Sequence, residues 1–320
     1  MRLKLTIVVC ITFGTGQLFA QNILTLPFDC ISDKIILKVR GKGNDTLNIF
    51  FDTGADFMYL DSSLAAGYEL FGTRSLKVNG SYVLGARMTG RLIPNPGIFK
   101  DSILNIVYGN IVTQNYITHH PNDLPIRLDG MMGIGSLRKY VVLLDFEKKL
   151  LTIKDKQDPY TDKTTFTSIK MLNSDDGHST PLSNRVHTLG STRVKLCLSK
   201  GHVIEATGMF DTGCFRELVL CTTMNLDSIR DASEPKCDIN IRYDSMQQGI
   251  RHEYCFNLDS ATLGSSFRKT GQKAYAINVD ESRFAKFGEV SSYILIGFPF
   301  FRKFKRVYLN YPAARIDLEQ

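Results

Sequence analysis

The chain carries one pattern twice, and this limits its possible folds more than any other feature. Residues 46–60, TLNIFFDTGADFMYL, run apolar residues up to Asp52-Thr53-Gly54 and on into a second apolar run. Residues 203–220, VIEATGMFDTGCFRELVL, do the same around Asp211-Thr212-Gly213. A second block also recurs: DGMMGIGSLRKYVVLLDFEKKLLTI at 129–153 matches SYILIGFPFFRKFKRVYLNYPAARIDL at 292–318. Aligning Gly133 with Gly297 puts Leu137-Arg138-Lys139-Tyr140 on Phe301-Arg302-Lys303-Phe304. One inserted residue later, Asp145-Phe146 falls on Asn310-Tyr311. The aspartate-to-glycine separation is 133 − 52 = 81 residues in the first copy and 297 − 211 = 86 in the second. Two motifs in one order at nearly one spacing are the mark of duplication within a chain.

The pattern around the motifs is that of strands. Lys34–Arg40 and Arg193–Leu198 are short runs rich in β-branched or apolar residues. Val141–Phe146 and Arg306–Tyr311 read as strands too, each followed by a turn and a final alternating strand. Leu137–Tyr140 and its counterpart Phe301–Phe304 read as helical turns. Few segments sustain a 3.6-residue period, so a mostly β protein is expected. At about 150 residues per domain, 320 residues suit two domains. The polar stretch from Lys154 to Leu189 places the boundary near residue 160, giving segments 1–20, 21–160 and 161–320.

An Asp-Thr-Gly triplet between two apolar strands presents a carboxylate at a strand end. The glycine permits a tight turn and close approach of another backbone. The threonine hydroxyl can lock the loop by hydrogen bonding. Two such triplets, one per repeat, call for a symmetric arrangement with Asp52 facing Asp211. Two carboxylates at hydrogen-bonding distance share one proton, because both cannot ionise without strong repulsion. The ionised member can take a proton from water while the protonated one donates to a carbonyl oxygen, which is general acid–base chemistry suited to amide hydrolysis.

Phe51-Asp52-Thr53-Gly54-Ala55-Asp56, Phe210-Asp211-Thr212-Gly213, Met131-Met132-Gly133 and Leu295-Ile296-Gly297 together resemble the pepsin–retropepsin superfamily of aspartic proteases. The wording around DTGAD is similar to bacterial retropepsin-like proteins, while the duplication within one chain is similar to the pepsin layout. The resemblance covers roughly residues 30–155 and 190–318. It implies a bilobal pepsin-like acid-protease fold, two homologous β-barrel-like lobes with a cleft between them, and endopeptidase activity on extended peptide. It implies Asp52 and Asp211 as the catalytic pair, with Thr53, Gly54, Thr212 and Gly213 supporting their loops. A substrate-covering hairpin would have its tip in VNGSYVLGAR, with Gly80, Tyr82 and Gly85 as flap candidates. Ala55 and Cys214 stand where pepsin-like enzymes commonly carry a hydroxyl, and Cys214 reads as a small buried hydrophobe. The expected substrate is an extended polypeptide with apolar side chains flanking the bond, and the expected state is a monomer. Rival readings are a catalytically silent peptide- or protein-binding module of the same fold and a homodimer pairing halves between chains.

Residues 1–20 have a positive start at Arg2 and Lys4, an apolar stretch from Leu5 to Phe13 and a small residue at Ala20, the pattern of an export signal. A periplasmic or extracellular protein beginning near Gln21 is therefore expected, without stable membrane insertion. Only 51 − 20 = 31 residues then precede Asp52, too few for an inhibitory pro-segment beside the strands needed there. Six cysteines follow residue 20, and an even count outside the cytosol permits disulfides. Either Cys30 bridges the halves or each half keeps a free thiol.

The sequence calls for no cofactor. It contains no CxxC, HExxH or Cys/His zinc spacing, so no metal is expected. The net charge of 39 − 32 = +7 is scattered without runs, which argues against a nucleic-acid partner. Ser136-Leu137-Arg138-Lys139 fits SxxK, but the serine has no counterpart in the repeat. Arg138-Lys139 and Arg302-Lys303 read as solvated, and His119-His120 as a surface pair.

Overall fold

The apolar runs flanking the two triplets form strands, and strands make up most of the described residues. A computed structural model describes residues 24–40, 46–55, 58–61, 64, 70–78, 81–89, 103–108, 126–138, 140–155, 166–172, 190–232, 238–244, 249–279 and 291–320. The first half contributes β1 (Leu24–Ile31), β2 (Lys34–Arg40), β3 (Thr46–Asp52), β4 (Met58–Leu60), β5 (Leu70–Val78), β6 (Ser81–Thr89), β7 (Ile103–Tyr108), β8 (Gly130–Gly133), β9 (Tyr140–Asp145) and β10 (Leu150–Asp155). The second contributes β11 (Phe166–Lys170), β12 (Ser191–Leu198), β13 (Val203–Asp211), β14 (Leu218–Thr222), β15 (Asp238–Asp244), β16 (Gly249–Leu263), β17 (Phe267–Asn278), β18 (Ser292–Gly297), β19 (Arg306–Asn310) and β20 (Arg315–Glu319). Among the described residues, helix occurs as α1 (Leu226–Asp231), α2 (Phe298–Phe301), at Leu64 and in single 3₁₀ turns such as Ile134–Leu137. None of these helices is long and apolar enough to cross a membrane.

The sequence repeat is also a repeat of topology. In the first half β3 pairs parallel with β8, β8 antiparallel with β4, and β4 parallel with β7. In the second half β13 pairs parallel with β18, β18 antiparallel with β14, and β14 parallel with β17. Each apolar–apolar–glycine block is thus the strand threaded between the one entering its triplet and the one leaving it. The pairing ends on Asp52 opposite Gly133 and on Asp211 opposite Gly297. In the second half, β12, β13, β18, β14, β17 and β16 close into a six-stranded barrel, since β12 also pairs with β16.

The halves share a sheet ordered β11-β20-β19-β9-β10-β1. At its centre β9 and β19 run antiparallel, pairing Asp145 with Arg306 and Val141 with Asn310. Under the sequence alignment Asp145 becomes Asn310 and Arg306 becomes Val141, so each of these pairs maps onto the other. The pair Leu143–Tyr308 maps onto itself. A local two-fold axis therefore passes through that pair, and the register confirms the alignment with its single inserted residue. Residues 24–31, the first described, lie in the sheets as β1. Leu24 to Pro27 pair with β10, and Phe28 to Ile31 turn onto β2.

Burial follows the period-two pattern and joins both halves in one core, with Val142, Leu144, Val307, Leu309, Ile316 and Leu318 packed across the shared sheet. Behind Asp211 the packing is aromatic. Phe210 lies 5.9 Å from Phe301, which meets Phe300 edge-on at 5.5 Å, and Phe300 meets Phe304 at 5.3 Å.

Two expectations need correction. The helical turns begin directly after the glycines, at Ile134–Leu137 and Phe298–Phe301, and so end where they were expected to start. Gly133 and Gly297 stop the strands in extended conformation, and Pro299, with its fixed φ and missing N–H, suits a first helical turn. Tyr82 and Gly85 are not at a hairpin tip. Ser81 already pairs with Val78, so Tyr82 lies in β6 opposite Lys77, and Gly85 opposite Arg74. Ser-Tyr-Val-Leu is a strand-forming run, and it extends the ladder up to its first residue. Residues 1–20, the boundary at 160, Gly80, His119, His120 and Lys139 lie outside the described residues.

Truncating Phe301, which is fully buried, leaves a cavity behind the second triplet. Phe301→Ala should cost about 3–5 kcal/mol, read as a lower urea midpoint with an unchanged slope.

Candidate functional site

Phe51 and Phe210, both fully buried, anchor the strand ends that deliver Asp52 and Asp211. The turns beyond them are closed by the Ala55 N–H on the Asp52 carbonyl at 3.3 Å and the Cys214 N–H on the Asp211 carbonyl at 3.0 Å. Four hydrogen bonds then cross between the loops. The Thr53 N–H donates to Thr212 Oγ1 at 3.0 Å, and Thr212 Oγ1 donates to the Phe51 carbonyl at 3.0 Å. Reciprocally, the Thr212 N–H donates to Thr53 Oγ1 at 2.9 Å, and Thr53 Oγ1 donates to the Phe210 carbonyl at 2.8 Å. Both threonines are fully buried, so each hydroxyl works as donor and acceptor with no solvent to replace it.

This crossing brings the carboxylates together. A β-carbon added at Gly54 would lie 2.6 Å from the Asp211 carboxyl carbon, and one at Gly213 would lie 2.7 Å from Asp52 Oδ2. Glycine is required here because the opposite carboxylate occupies the space of a side chain. The Gly54 N–H donates to Asp52 Oδ1 at 2.7 Å and the Gly213 N–H to Asp211 Oδ1 at 2.8 Å.

Burial raises both carboxyl pKa values above the ordinary range. For Asp52 the charge of Asp211 and a hydrogen bond to it add to the rise, and the Gly54 and Gly213 amides oppose it. For Asp211 the same bond works the other way, together with the Gly213 and Cys214 amides. The two buried carboxyls therefore titrate as a pair that holds one proton between them.

Cys214 is half-buried, and its thiol donates to the Arg216 carbonyl at 3.4 Å. Burial first and the Asp211 charge second push its pKa well above the ordinary thiol value, so it stays protonated. It packs against Val219, Cys221, Val279 and Tyr293. Cys30, Cys197 and Cys255 are likewise free thiols. No group of three metal-ligating side chains occurs among the described residues. Of the basic pairs, Arg302 bonds Asp33 at 2.7 Å and Lys303 bonds Glu217.

Beside the dyad lies a group that the sequence reading did not single out. Arg216 forms a two-pronged ion pair with the buried Glu253, at 3.2 Å from Nε and 3.0 Å from Nη2. Its guanidinium stacks over Tyr275 at 4.1 Å and over Phe215 at 5.1 Å. Burial works against its charge, but the Glu253 bond and charge outweigh that and leave its pKa raised. The available signal was a charged Arg216-Glu217 pair inside an otherwise apolar run.

Comparison with known proteins corrects the family reading. No family model matches the chain, and no curated protein does. A solved structure, basic 7S globulin from soybean, is similar over 93% of this chain and 95% of that one, at 10% identity and a TM-score of 0.47. The motifs therefore do not place the chain in the pepsin–retropepsin superfamily, and the site stands on its own geometry.

Two outcomes are expected. Thr53→Ala strands the Thr212 amide and the Phe210 carbonyl and should cost about 1–3 kcal/mol. Thr53→Ser keeps the hydroxyl and should recover most of that loss in the same denaturation assay. The second outcome concerns pH. The folded state holds the Asp52 proton more tightly than the unfolded chain does, so this stability is complete below the ordinary carboxylate value of about 3.9. It is lost as pH rises through the raised pKa of Asp52. Asp52→Asn lacks that titration, so its melting temperature relative to wild type should climb as pH increases.

Proposed function

We propose that this protein is an aspartic endopeptidase that hydrolyses peptide bonds with a water activated between Asp52 and Asp211. The observation that carries the reading is the pair of carboxyls brought together by the crossed loops, where a β-carbon at either triplet glycine would meet the opposite carboxylate. The ionised carboxylate of the pair takes a proton from water as the water oxygen attacks the peptide carbonyl carbon. The protonated one gives its proton to the carbonyl oxygen, forming a tetrahedral diol. Protonation of the amide nitrogen then breaks the C–N bond, releasing a carboxylic acid and an amine, and one proton remains on the pair. Such acid–base assistance is worth about 10²–10⁴-fold for each group.

In this reading the halves are two lobes joined by the shared sheet, with the crossed loops on the floor of a cleft that takes an extended polypeptide. The β5–β6 hairpin would cover it. The raised carboxyl values support a bell-shaped activity profile, whose alkaline limb is set by the pair losing its shared proton and whose acid limb by the pair gaining a second.

The test is cleavage of a diverse peptide mixture by the purified protein from about pH 3 to about pH 8, read by mass spectrometry beside Asp52→Asn and Asp211→Asn. Turnover abolished by either substitution supports the reading. Turnover surviving both, or none from a folded wild type, overturns it. The latter outcome would favour a silent binding module.

A further inference from the structure

We propose that Arg216 is a positioning residue for the carboxyl pair, and that its clamp on Glu253 fixes the loop that holds Asp211. This inference rests on the endopeptidase reading. The two triplet loops differ in length. Met58 of β4 faces Met132 and Leu218 of β14 faces Ile296, and these are equivalent positions of the repeat. From aspartate to strand the first loop therefore takes 58 − 52 = 6 residues and the second 218 − 211 = 7. The longer loop ends in Arg216 and Glu217, directly before β14.

That loop is seated on the residue that pairs with Asp211. Gly297 lies opposite Asp211 in the ladder. A β-carbon added to Gly297 would run into the Arg216 carbonyl oxygen and lie 2.5 Å from the Cys214 carbonyl oxygen. The Gly297 N–H bonds the Glu217 carbonyl at 2.9 Å, and the Phe298 N–H bonds the Cys214 carbonyl at 2.9 Å. A shift of the loop is therefore a shift at the strand end that carries the carboxylate.

The side chains tie the same backbone to the barrel. Arg216 Nε and Nη2 reach Glu253 on β16 at 3.2 Å and 3.0 Å, and Nη1 donates to the Tyr275 hydroxyl on β17 at 3.3 Å. All three guanidinium nitrogens are thus engaged, and a two-pronged bond to a carboxylate fixes direction as well as distance. Glu253 is only 4% exposed and pairs with Asn240 of β15 and Ile277 of β17, so it moves only with its sheet. Next in the chain, Glu217 accepts from Gln272 Nε2 at 2.8 Å and pairs with Lys269 at 3.6 Å and with Lys303. Adjacent residues of opposite charge therefore bind the loop to β16, to β17 and to the turn after α2.

The clamp bears on the chemistry through Cys214, two residues before Arg216. The Cys214 amide, with that of Gly213, supports the charge of Asp211. Among the described residues, the titratable groups facing Asp211 are Asp52 across the pair and the Cys214 thiol, which stays protonated. The Arg216 charge is matched by that of Glu253, so removing both leaves the net charge beside the pair unchanged. What the clamp controls is where an amide points.

The experiment measures kcat and KM against pH on one cleaved peptide, for wild type, Arg216→Lys and the double variant Arg216→Met/Glu253→Gln, which leaves no buried charge unpaired. In the double variant kcat should fall about tenfold at unchanged KM. The acid limb of its profile should move to higher pH, because a carboxylate with weaker amide support takes up a proton more readily. Arg216→Lys keeps the charge but loses the two-pronged grip, so it should show both changes to a smaller extent, and it decides the matter where the double variant does not fold. Wild-type kcat and an unmoved profile in the folded variants overturn the assignment while leaving the endopeptidase reading in place, and so does a change confined to KM. A folded wild type that cleaves no peptide removes both.

Discussion

Everything at the centre of this molecule depends on two threonine hydroxyls, each bonded to the main chain of the other half. Thr53 and Thr212 are 159 residues apart in sequence, yet each gives its proton to a carbonyl across the interface and accepts an amide proton from the other threonine. Shielded from water, such bonds have no solvent substitute, and leaving one partner unpaired costs the whole desolvation penalty. They fix the two loops as one unit. The glycines can then do their work, because close approach of the carboxylates is tolerable only where no side chain intervenes.

The pair that results is held against its own preference. Burial and mutual repulsion act to neutralise it, while the glycine and Cys214 amides support its charge. The balance leaves one proton for two acids. This is an electrostatic device built from backbone and two side chains, carried on strands related by a two-fold axis. Cys214 follows one triplet and Ala55 the other, so the two carboxylates do not have the same neighbours.

Much of this was written in the chain. Lys34–Arg40 reads as a strand and is one, with its neighbours bounded to within a residue or two, because alternation and β-branching are local signals. The repeat carried more, since its alignment already contains the register of β9 on β19. The helical turns were misplaced by three residues because the apolar residues of FPFF read equally well as strand until Pro299 and the extended glycine before it are weighed. The Tyr82 tip failed for a related reason: turn residues mark a hairpin, but the ladder sets where it ends. Arg216 and Glu253 could not be paired from sequence at all, since 37 residues separate them and only the closed barrel brings β16 beneath the loop after β13.

The shared sheet has a consequence for how the protein is made. Its inner strands, β9 and β19, lie in different halves, and β9 pairs with β10 on one side only until β19 arrives. During synthesis the first half therefore emerges with Val142 and Leu144 on an open ladder, the kind of edge that recruits other strands. The two-fold register sharpens this hazard, because another newborn copy presents a near-equivalent β9 with the same apolar alternation. Duplication thus gave the chain a partner for its own edge and, until that partner is translated, an edge suited to its siblings.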